Sequence, residues 1–589
     1  MRELHKSPPF LWSLLIAFTL VWFYLLCLRT LVPTDEGRYA EMAREMITSH
    51  DWITTRLNAI KYFEKPPLQT WMNAITFEVF GLGNWQARLW TGLCGFASVL
   101  LTAYTGQRVF NSRIGLYAGL VLGSSLLWGG LGHVNTLDMG LAGMMTISLC
   151  GLLIAQRNQS SRSEQRNWML VCWGGMALAI LSKGLIGIVL PGAVLVLYTL
   201  IAGDWRIWKR LHLVKGLVLL LLITAPWFVV VSVRNPEFAH FFFIHEHFQR
   251  FLTKVHHRTG AWYYFVPILV AGIVPWLGIL VQSFWEGLRD RHESSLAGSL
   301  DGLTGRGFQP KKMLLVWAAF IFFFFSISSS KLPSYILPIF PAVALLIGAC
   351  LERAGTRTLY LTAAFFGVPA AIGLAFVSRI PGTASDAFSA ALLVQHLPWI
   401  YAALTLVIAG AIGAVALARN NKDGAIILLA VSGFLAGQIV ILGHEPQGRY
   451  SAGVDHLPAI TAVLTPDTHM YLVGRYEQAL PFYLRRTMTL VAHQDEMEFG
   501  LEQEPQLWIP TLEAFAQQWK NDDAAGKKEM AIVHPELYPQ LQALGLKMRV
   551  IGADPRRIIV SNLPGPAAAS EAPGSTPFTP ALPVGTNAQ

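Results

Sequence analysis

Long apolar stretches recur along the chain from residue 11 to residue 443, separated by short polar breaks. Each is near 20 residues, the length at which a helix crosses a ~30 Å hydrocarbon core. The pattern predicts about thirteen transmembrane helices, near 10–31, 85–109, 113–132, 138–156, 168–182, 184–202, 214–233, 261–284, 313–330, 334–352, 358–378, 397–418 and 423–443. The first follows a basic start, as a signal peptide would. Its apolar run nevertheless exceeds the ~7–15 residues of a signal core, and no small-x-small cleavage site precedes Pro33-Thr34-Asp35-Glu36, so it reads as a membrane span. The short spans five and six meet at Ser182-Lys183-Gly184.

Beyond Leu442 the pattern shifts to alternating strand-like and helix-like runs. Strands are predicted at 469–476 and 487–492, helices at 511–519 and 536–544, and a final hairpin at 548–550 and 558–560. The expected organisation is a transmembrane part over 1–443 with outer-face helices in loop 30–84, a small α/β domain over 444–563, and a disordered Pro/Ala-rich tail over 564–589.

Composition agrees with this division. Only 14% of the 589 residues are charged, against about 25% in soluble domains, and the deficit lies in the apolar blocks. This excludes a soluble enzyme, a fibre or a disordered chain as the main body. With the N-terminus inside, Arg108/Arg113, Arg157/Arg162/Arg166, Arg206/Lys209/Arg210/Lys215, Lys311/Lys312, Arg353/Arg357 and Arg419/Lys422 all fall on the cytoplasmic side. An odd number of spans sends the C-terminal domain out, into the periplasm of a Gram-negative cell. The net charge of +9 is largely this loop bias, and no nucleic-acid partner is needed to explain it. The five cysteines lie in or beside apolar spans without CxxC or metal-type spacing.

The remaining charges gather in the outer segments. Loop 30–84 opens with a run of helical period that places Asp35 on the apolar arc with Tyr39 and Met42, opposite Arg38, Glu41 and Glu45. An amphipathic interfacial helix results, its leading carboxylate directed toward the bundle; alternatively, Asp35 and Glu36 only complement the helix dipole behind a Thr34 cap. The same loop carries Tyr62-Phe63-Glu64-Lys65-Pro66-Pro67, whose prolines fix Lys65 on a rigid corner before a helix, as a phosphate ligand or a snorkelling lysine. Asp138 and Lys183 occupy short outer turns, where ionisable groups mark function or pair with each other. After span seven come His245, Glu246, His247 and Arg250 among phenylalanines, a set suited to a phosphodiester lipid head group. His245 and His247 are two apart, unlike a helical zinc pair; a divalent metal such as zinc on Glu64 and His245 is a separate expectation. Ser330-Lys331-Leu332-Pro333-Ser334-Tyr335 lies between spans nine and ten, as a helix start or a turn.

Taken together, Asp35-Glu36-Gly37-Arg38-Tyr39-Ala40-Glu41-Met42, Phe63-Glu64-Lys65-Pro66-Pro67-Leu68-Gln69-Thr70-Trp71, Glu246-His247…Arg250-Phe251 and Ser330-Lys331-Leu332-Pro333…Tyr335-Ile336-Leu337-Pro338 resemble the bacterial lipid A aminoarabinose transferases. That family belongs to the C-type glycosyltransferase superfamily, with the protein O-mannosyltransferases. The resemblance spans roughly 10–440; the C-terminal part matches only in position and size. It implies an inverting transferase that takes sugar from undecaprenyl phosphate at the periplasmic face of the inner membrane. It further implies that Asp35 and Asp138 flank the sugar and that Lys65, Arg38 and Arg250 hold the donor phosphate. Lys183 would lie near the sugar or acceptor phosphate, and Tyr335 would line the polyprenyl cavity. Glu36, Tyr39, Tyr62, His247 and Lys331 complete the substrate-binding candidates. Lipid A or another envelope molecule would be the acceptor, among membrane lipids. The near alternative is another sugar, or a protein or polysaccharide acceptor. The remote one is a transporter or lipid flippase, against which stands the gathering of charge at one face without repeated halves.

Overall fold

The computed structural model describes residues 7–249, 260–289 and 307–563. The expected tail at 564–589 lies outside the described residues. Helices occupy all thirteen apolar windows. Among the described residues nine are long and apolar enough to span by those criteria alone, and a tenth counts if the pair Phe265–Gly272 and Leu277–Arg289, bent by 109°, is one span. The other windows hold α5 (Ser112–Ser124) followed by α6 (Leu126–Leu131), α8 (Arg162–Lys183), whose first turns are polar, and the 17-residue helix Ile186–Ala202. The chain is a polytopic helical membrane protein with a C-terminal α/β domain.

Burial sorts these helices. The span α7 (Leu137–Ala155) and the segment Pro333–Arg353 are almost wholly enclosed. Leu213–Arg234 and Ala387–Leu417 expose most of their length, with Val214, Leu222, Val233 and Ile412 bare, as lipid-facing surface requires. Where α5 breaks at Ser125, the amide of Leu126 donates to the carbonyl of Val274 in the bend of the other broken helix (3.1 Å). Trp276 Nε1 also donates to Ser124 Oγ (2.9 Å), so each break supplies polar partners to the other.

The chain forms two compact units. The first runs to Val454 and also takes in Glu477–Thr487 and Gln494–Leu507. Its boundary therefore lies past residue 443, and two later segments return to it. The second comprises Asp455–Tyr476, Met488–His493 and the chain from Trp508 on. It holds a six-stranded sheet. After the two-residue strands β1 (Arg56–Leu57) and β2 (Ile60–Lys61) of the first unit, the strands are β3 (His469–Val473), β4 (Thr489–Val491), β5 (Trp508–Ile509), β6 (Glu529–Val533), β7 (Arg549–Asp554) and β8 (Arg557–Ser561), in spatial order β5-β4-β3-β6-β8-β7. The first four run parallel, and β8 and β7 close one side antiparallel. Tyr471, Val473, Val491, Phe515, Trp519 and Val533 form its core. The predicted strands and hairpin are present, but the sequence reading omits β5 and β6, the latter the strand beside β3.

Candidate active site

Helix α2 (Asp35–Ser49) opens the long loop after the first span, with both acids in its first turn. The amphipathic pattern leaves neither arc bare: the residues of α2 from Glu36 to Met46 are all buried. The physical reason is that the supposedly outward arc is covered and its charges are partnered. Glu45 accepts from the amides of Asn58 (2.5 Å) and Ala59 (2.7 Å), and Glu41 pairs with Arg44 (2.5 Å). Arg38 pairs with Glu496 (2.5 Å) and also donates to the Tyr62 hydroxyl (3.2 Å) and Gln478 Oε1 (3.3 Å). Gln478 and Glu496 belong to the two returning segments. These segments approach so closely that a Cβ on Gly37 would lie 2.3 Å from the Gln478 carbonyl oxygen, and one on Gly500 2.2 Å from that of Lys61.

Glu36 points into the bundle. Its carboxylate makes a two-pronged pair with Arg88 of α4 (Asn84–Val109) at 2.6 and 2.8 Å and accepts from the amides of Val32 (2.8 Å) and Asn135 (2.9 Å). Arg88 spends its remaining donors on the carbonyls of Leu26, Arg29 and Thr30. Both side chains are essentially inaccessible. Glu36 thus fastens the first span to α2 and α4.

Asp35 and Asp138 approach each other through Thr136. Thr136 caps α7, accepting from the Asp138 amide (3.5 Å), and its hydroxyl donates to Asp35 Oδ2 (3.4 Å). Asp138 is ion-paired with Lys183, the last residue of α8, and accepts from Ser334 Oγ (2.5 Å). The Lys183 ammonium also lies 4.4 Å from the centre of the Tyr335 ring, a cation–π contact. Four separated sequence segments therefore meet at one carboxylate–ammonium centre.

Tyr39 connects this centre to Arg38. Burial raises its phenol pKa well above the ordinary value; Asp35 raises it further, Arg38 opposes, and Glu64 and Asp138 add to it. The phenol stays protonated, a neutral donor among carboxylates. For Arg38, burial pulls the pKa down, but Tyr62, Glu496, Tyr39 and Asp35 raise it further, keeping the guanidinium charged. Glu496 is raised by burial, Arg38 opposing.

Lys65 stands on its expected corner, directly before Pro66-Pro67 and the helix α3 (Leu68–Phe80). Its ammonium donates to the Glu64 carbonyl (2.9 Å) and lies 3.6 Å from the Glu64 carboxylate. Lys331 takes the turn alternative, donating to the Ser326 carbonyl (2.7 Å) at the end of Pro310–Ile327. His245 lies on the π-helix His240–Gln249 and stacks on Phe241, which stacks on Phe499 of a returning segment. The His247 side chain and Arg250 lie outside the described residues. Glu64 and His245 offer a carboxylate and an imidazole, which suit zinc. Among the described residues, however, no third His, Cys, Asp or Glu makes a ligand cluster with them, and Glu64 is shared with Lys65.

The arrangement joins paired acids, ammonium groups and a protonated phenol at one end of several spans. The chain is similar to the ArnT of Cupriavidus metallidurans, whose crystal structure is described as bound to undecaprenyl phosphate. It is 40% identical, superposes with a TM-score of 0.88, and the match covers 95% of this chain and 99% of that one. The chain belongs to the aminoarabinose transferase family. The aminoarabinose transferase C-terminal domain model matches 456–562, and the dolichyl-phosphate-mannose-protein mannosyltransferase model matches 64–229. Among curated family members, the undecaprenyl phosphate-alpha-4-amino-4-deoxy-L-arabinose arabinosyl transferase of Erwinia tasmaniensis is 29% identical over 83% of this chain and 87% of its own length. One of Proteus mirabilis is 27% identical over 89% and 93%.

Sequence reasoning did not single out Arg88, Thr136, Ser334, Gln478 or Glu496. Thr136 and Ser334 stood beside residues it chose and could have been found as polar neighbours of Asp138 and Tyr335. Glu496 and Arg88 carried no local signal.

Proposed function

We propose that this chain transfers 4-amino-4-deoxy-L-arabinose from undecaprenyl phosphate to a phosphate of lipid A at the periplasmic face of the bacterial inner membrane. The observation that carries this is the 40% identical relative, bound to undecaprenyl phosphate and alike over nearly the whole chain. The centre of Asp35, Asp138 and Lys183 supports it. A lipid A phosphate is already anionic, so the acceptor needs no general base. The acceptor oxygen attacks the sugar's anomeric carbon from the face opposite the donor phosphate. The bond from that carbon to the donor oxygen breaks, and its electron pair leaves on undecaprenyl phosphate with inversion. Asp35 and Asp138 orient the sugar, whose ammonium complements them, and stabilise the positive charge that develops on its ring. Lys65 and Arg38 supply cationic stabilisation of the departing phosphate, Arg38 exchanging Glu496 for it. Tyr39 and Tyr62 donate from protonated phenols, and Tyr335 lines the lipid path. Glu64 and His245 would hold a metal only with water or substrate completing its shell, and no step here runs through one.

The N-terminus lies in the cytoplasm and the C-terminal domain in the periplasm, as the loop charges require. Membranes containing the protein, given the polyprenyl donor and lipid A, should yield lipid A heavier by one pentosamine. A hexose-sized increment, or transfer only when a protein or polysaccharide acceptor is added, overturns the assignment in favour of another member of the superfamily. An unchanged rate in Asp35→Asn refutes the role given to that carboxylate.

A further inference from the structure

The C-terminal unit holds a second polar cluster, separate from the groups used above. His469 and Glu529 are the first residues of the adjacent parallel strands β3 and β6 and are direct register partners, so their side chains leave the same face of the sheet. Asp522 joins them from the last turn of the helix Leu512–Ala524. One ligating atom from each of the three lies within 4.8 Å of the others, the one such group of three among the described residues.

Three features distinguish this from an ordinary acidic patch. Glu529 is wholly inaccessible, and neither of its carboxylate oxygens completes a hydrogen bond at bonding geometry, the Tyr471 hydroxyl being the donor beside it. Leaving a buried carboxylate so is costly. Second, Asp522 sits at a helix C-terminus, where the backbone dipole disfavours negative charge, with no basic residue in that turn. The nearby cation, Lys527, pairs with Asp522 (2.7 Å) but is 64% exposed, and a single positive charge cannot balance two carboxylates. Third, the imidazole is already oriented. Nε2 of His469 lies 3.0 Å from Thr489 Oγ1, and Nδ1, which meets the Tyr471 hydroxyl at 3.1 Å, faces the cluster 3.9 Å from Glu529 Oε2. A ring held through one nitrogen while the other looks into a carboxylate pair is the usual arrangement of a metal-ligating histidine.

We propose that His469, Asp522 and Glu529 bind a divalent transition-metal ion of the zinc type, with water completing a tetrahedral shell. Zinc accepts imidazole nitrogen and carboxylate oxygen at ~2.0–2.2 Å, which places ligand atoms roughly 3.3–3.6 Å apart. The observed separations close to that range by small side-chain rotations. Tyr471, whose hydroxyl lies 3.1 Å from His469 Nδ1 and accepts from Gln518 (3.3 Å), then turns its proton toward Glu529. The half-exposed His469 provides the entry path. The site lies at the N-terminal ends of the parallel strands, whereas ligands of open α/β sheets bind at the C-terminal ends. Its role is to staple β3, β6 and the helix end together.

The test uses the full-length protein in detergent, stripped with chelator and titrated with Zn2+, with bound metal measured by mass spectrometry and the unfolding midpoint followed by heat. Wild type should retain one equivalent that survives Glu64→Gln and His245→Ala, and Zn2+ should raise its midpoint. His469→Ala should bind that equivalent at least about 100-fold more weakly, since even second-layer changes cost 10–100-fold, and should lose the midpoint shift. His469 is exposed, so this variant keeps the test usable if Glu529→Gln does not fold. The proposal is overturned if wild type takes up no such equivalent, or if His469→Ala binds Zn2+ and shifts its midpoint as wild type does. Neither result bears on the transferase reading.

Discussion

The Glu36–Arg88 pair allows a sharp separation of scaffold from substrate binding. Arg88→Met would remove two charge-assisted bonds of 2.6 and 2.8 Å and three bonds to the carbonyls at the end of the first span. Glu36 would remain buried and charged with the amides of Val32 and Asn135. Breaking one side of a fully buried pair costs about 3–5 kcal/mol. Glu36→Gln keeps one acceptor for those amides but strands Arg88, with a cost of the same order. The double variant retains no unpaired charge, so it should be more stable than the sum of the singles by about 0.5–3 kcal/mol, the usual coupling of contacting residues. Thermal unfolding of the three purified variants measures this directly. Donor affinity, measured below each variant's unfolding temperature, should stay near wild type. Additive losses would refute the scaffold reading, as would Glu36→Gln protein of normal stability that no longer binds undecaprenyl phosphate.

Asp138→Asn should lower turnover at least about 100-fold, because it removes the partner of Lys183 at the centre proposed to face the developing charge; sugar transfer under saturating donor checks it, and near-normal turnover would contradict the assignment. Gly37→Ala should destabilise by about 1–3 kcal/mol through overpacking, because a Cβ 2.3 Å from a backbone oxygen forces the returning segment away; accelerated proteolysis within 477–487 would report it. Glu45 provides a pH signature. Burial, with Glu41 beside it, pushes its pKa up to about 8, so the native state binds more protons than the unfolded chain above the ordinary carboxylate range. Its stabilising contribution is complete below about pH 4.5 and is lost as pH rises toward 8. Glu45→Gln should flatten that part of the stability profile, and an unchanged slope would count against the shift.

The membrane part was legible because a span has a length and composition that no other element shares. All thirteen windows became helices, even where α5 and α6 break at Ser125. The pairing of Asp138 with Lys183 was legible as well, because charge at membrane depth needs a partner, whereas Tyr335 was named through the family resemblance. Helix α2 misled, since periodicity reports two faces but not what covers them: Arg38, Glu41 and Glu45 look solvated until residues 478 and 496 are placed against the loop. Arg88 was hidden in an otherwise apolar span. Strand β6 follows directly on Lys527-Lys528 and its first residue, Glu529, is a buried acid, which obscures the alternation by which half-buried strands are recognised.

Because Arg38 finds its partner 458 positions downstream, near the end of the described chain, this centre is a late product of synthesis. A nascent chain that has inserted every span still has Arg38 without its carboxylate until Glu496 is made and delivered to the same side of the membrane. Premature termination, or a chimera joined at the apparent end of the spans, would leave a bundle of correct topology with unfinished chemistry. Exchange of C-terminal parts among relatives should therefore carry the 477–487 and 494–507 segments together with a matching α2, rather than treat everything after the last span as a detachable module.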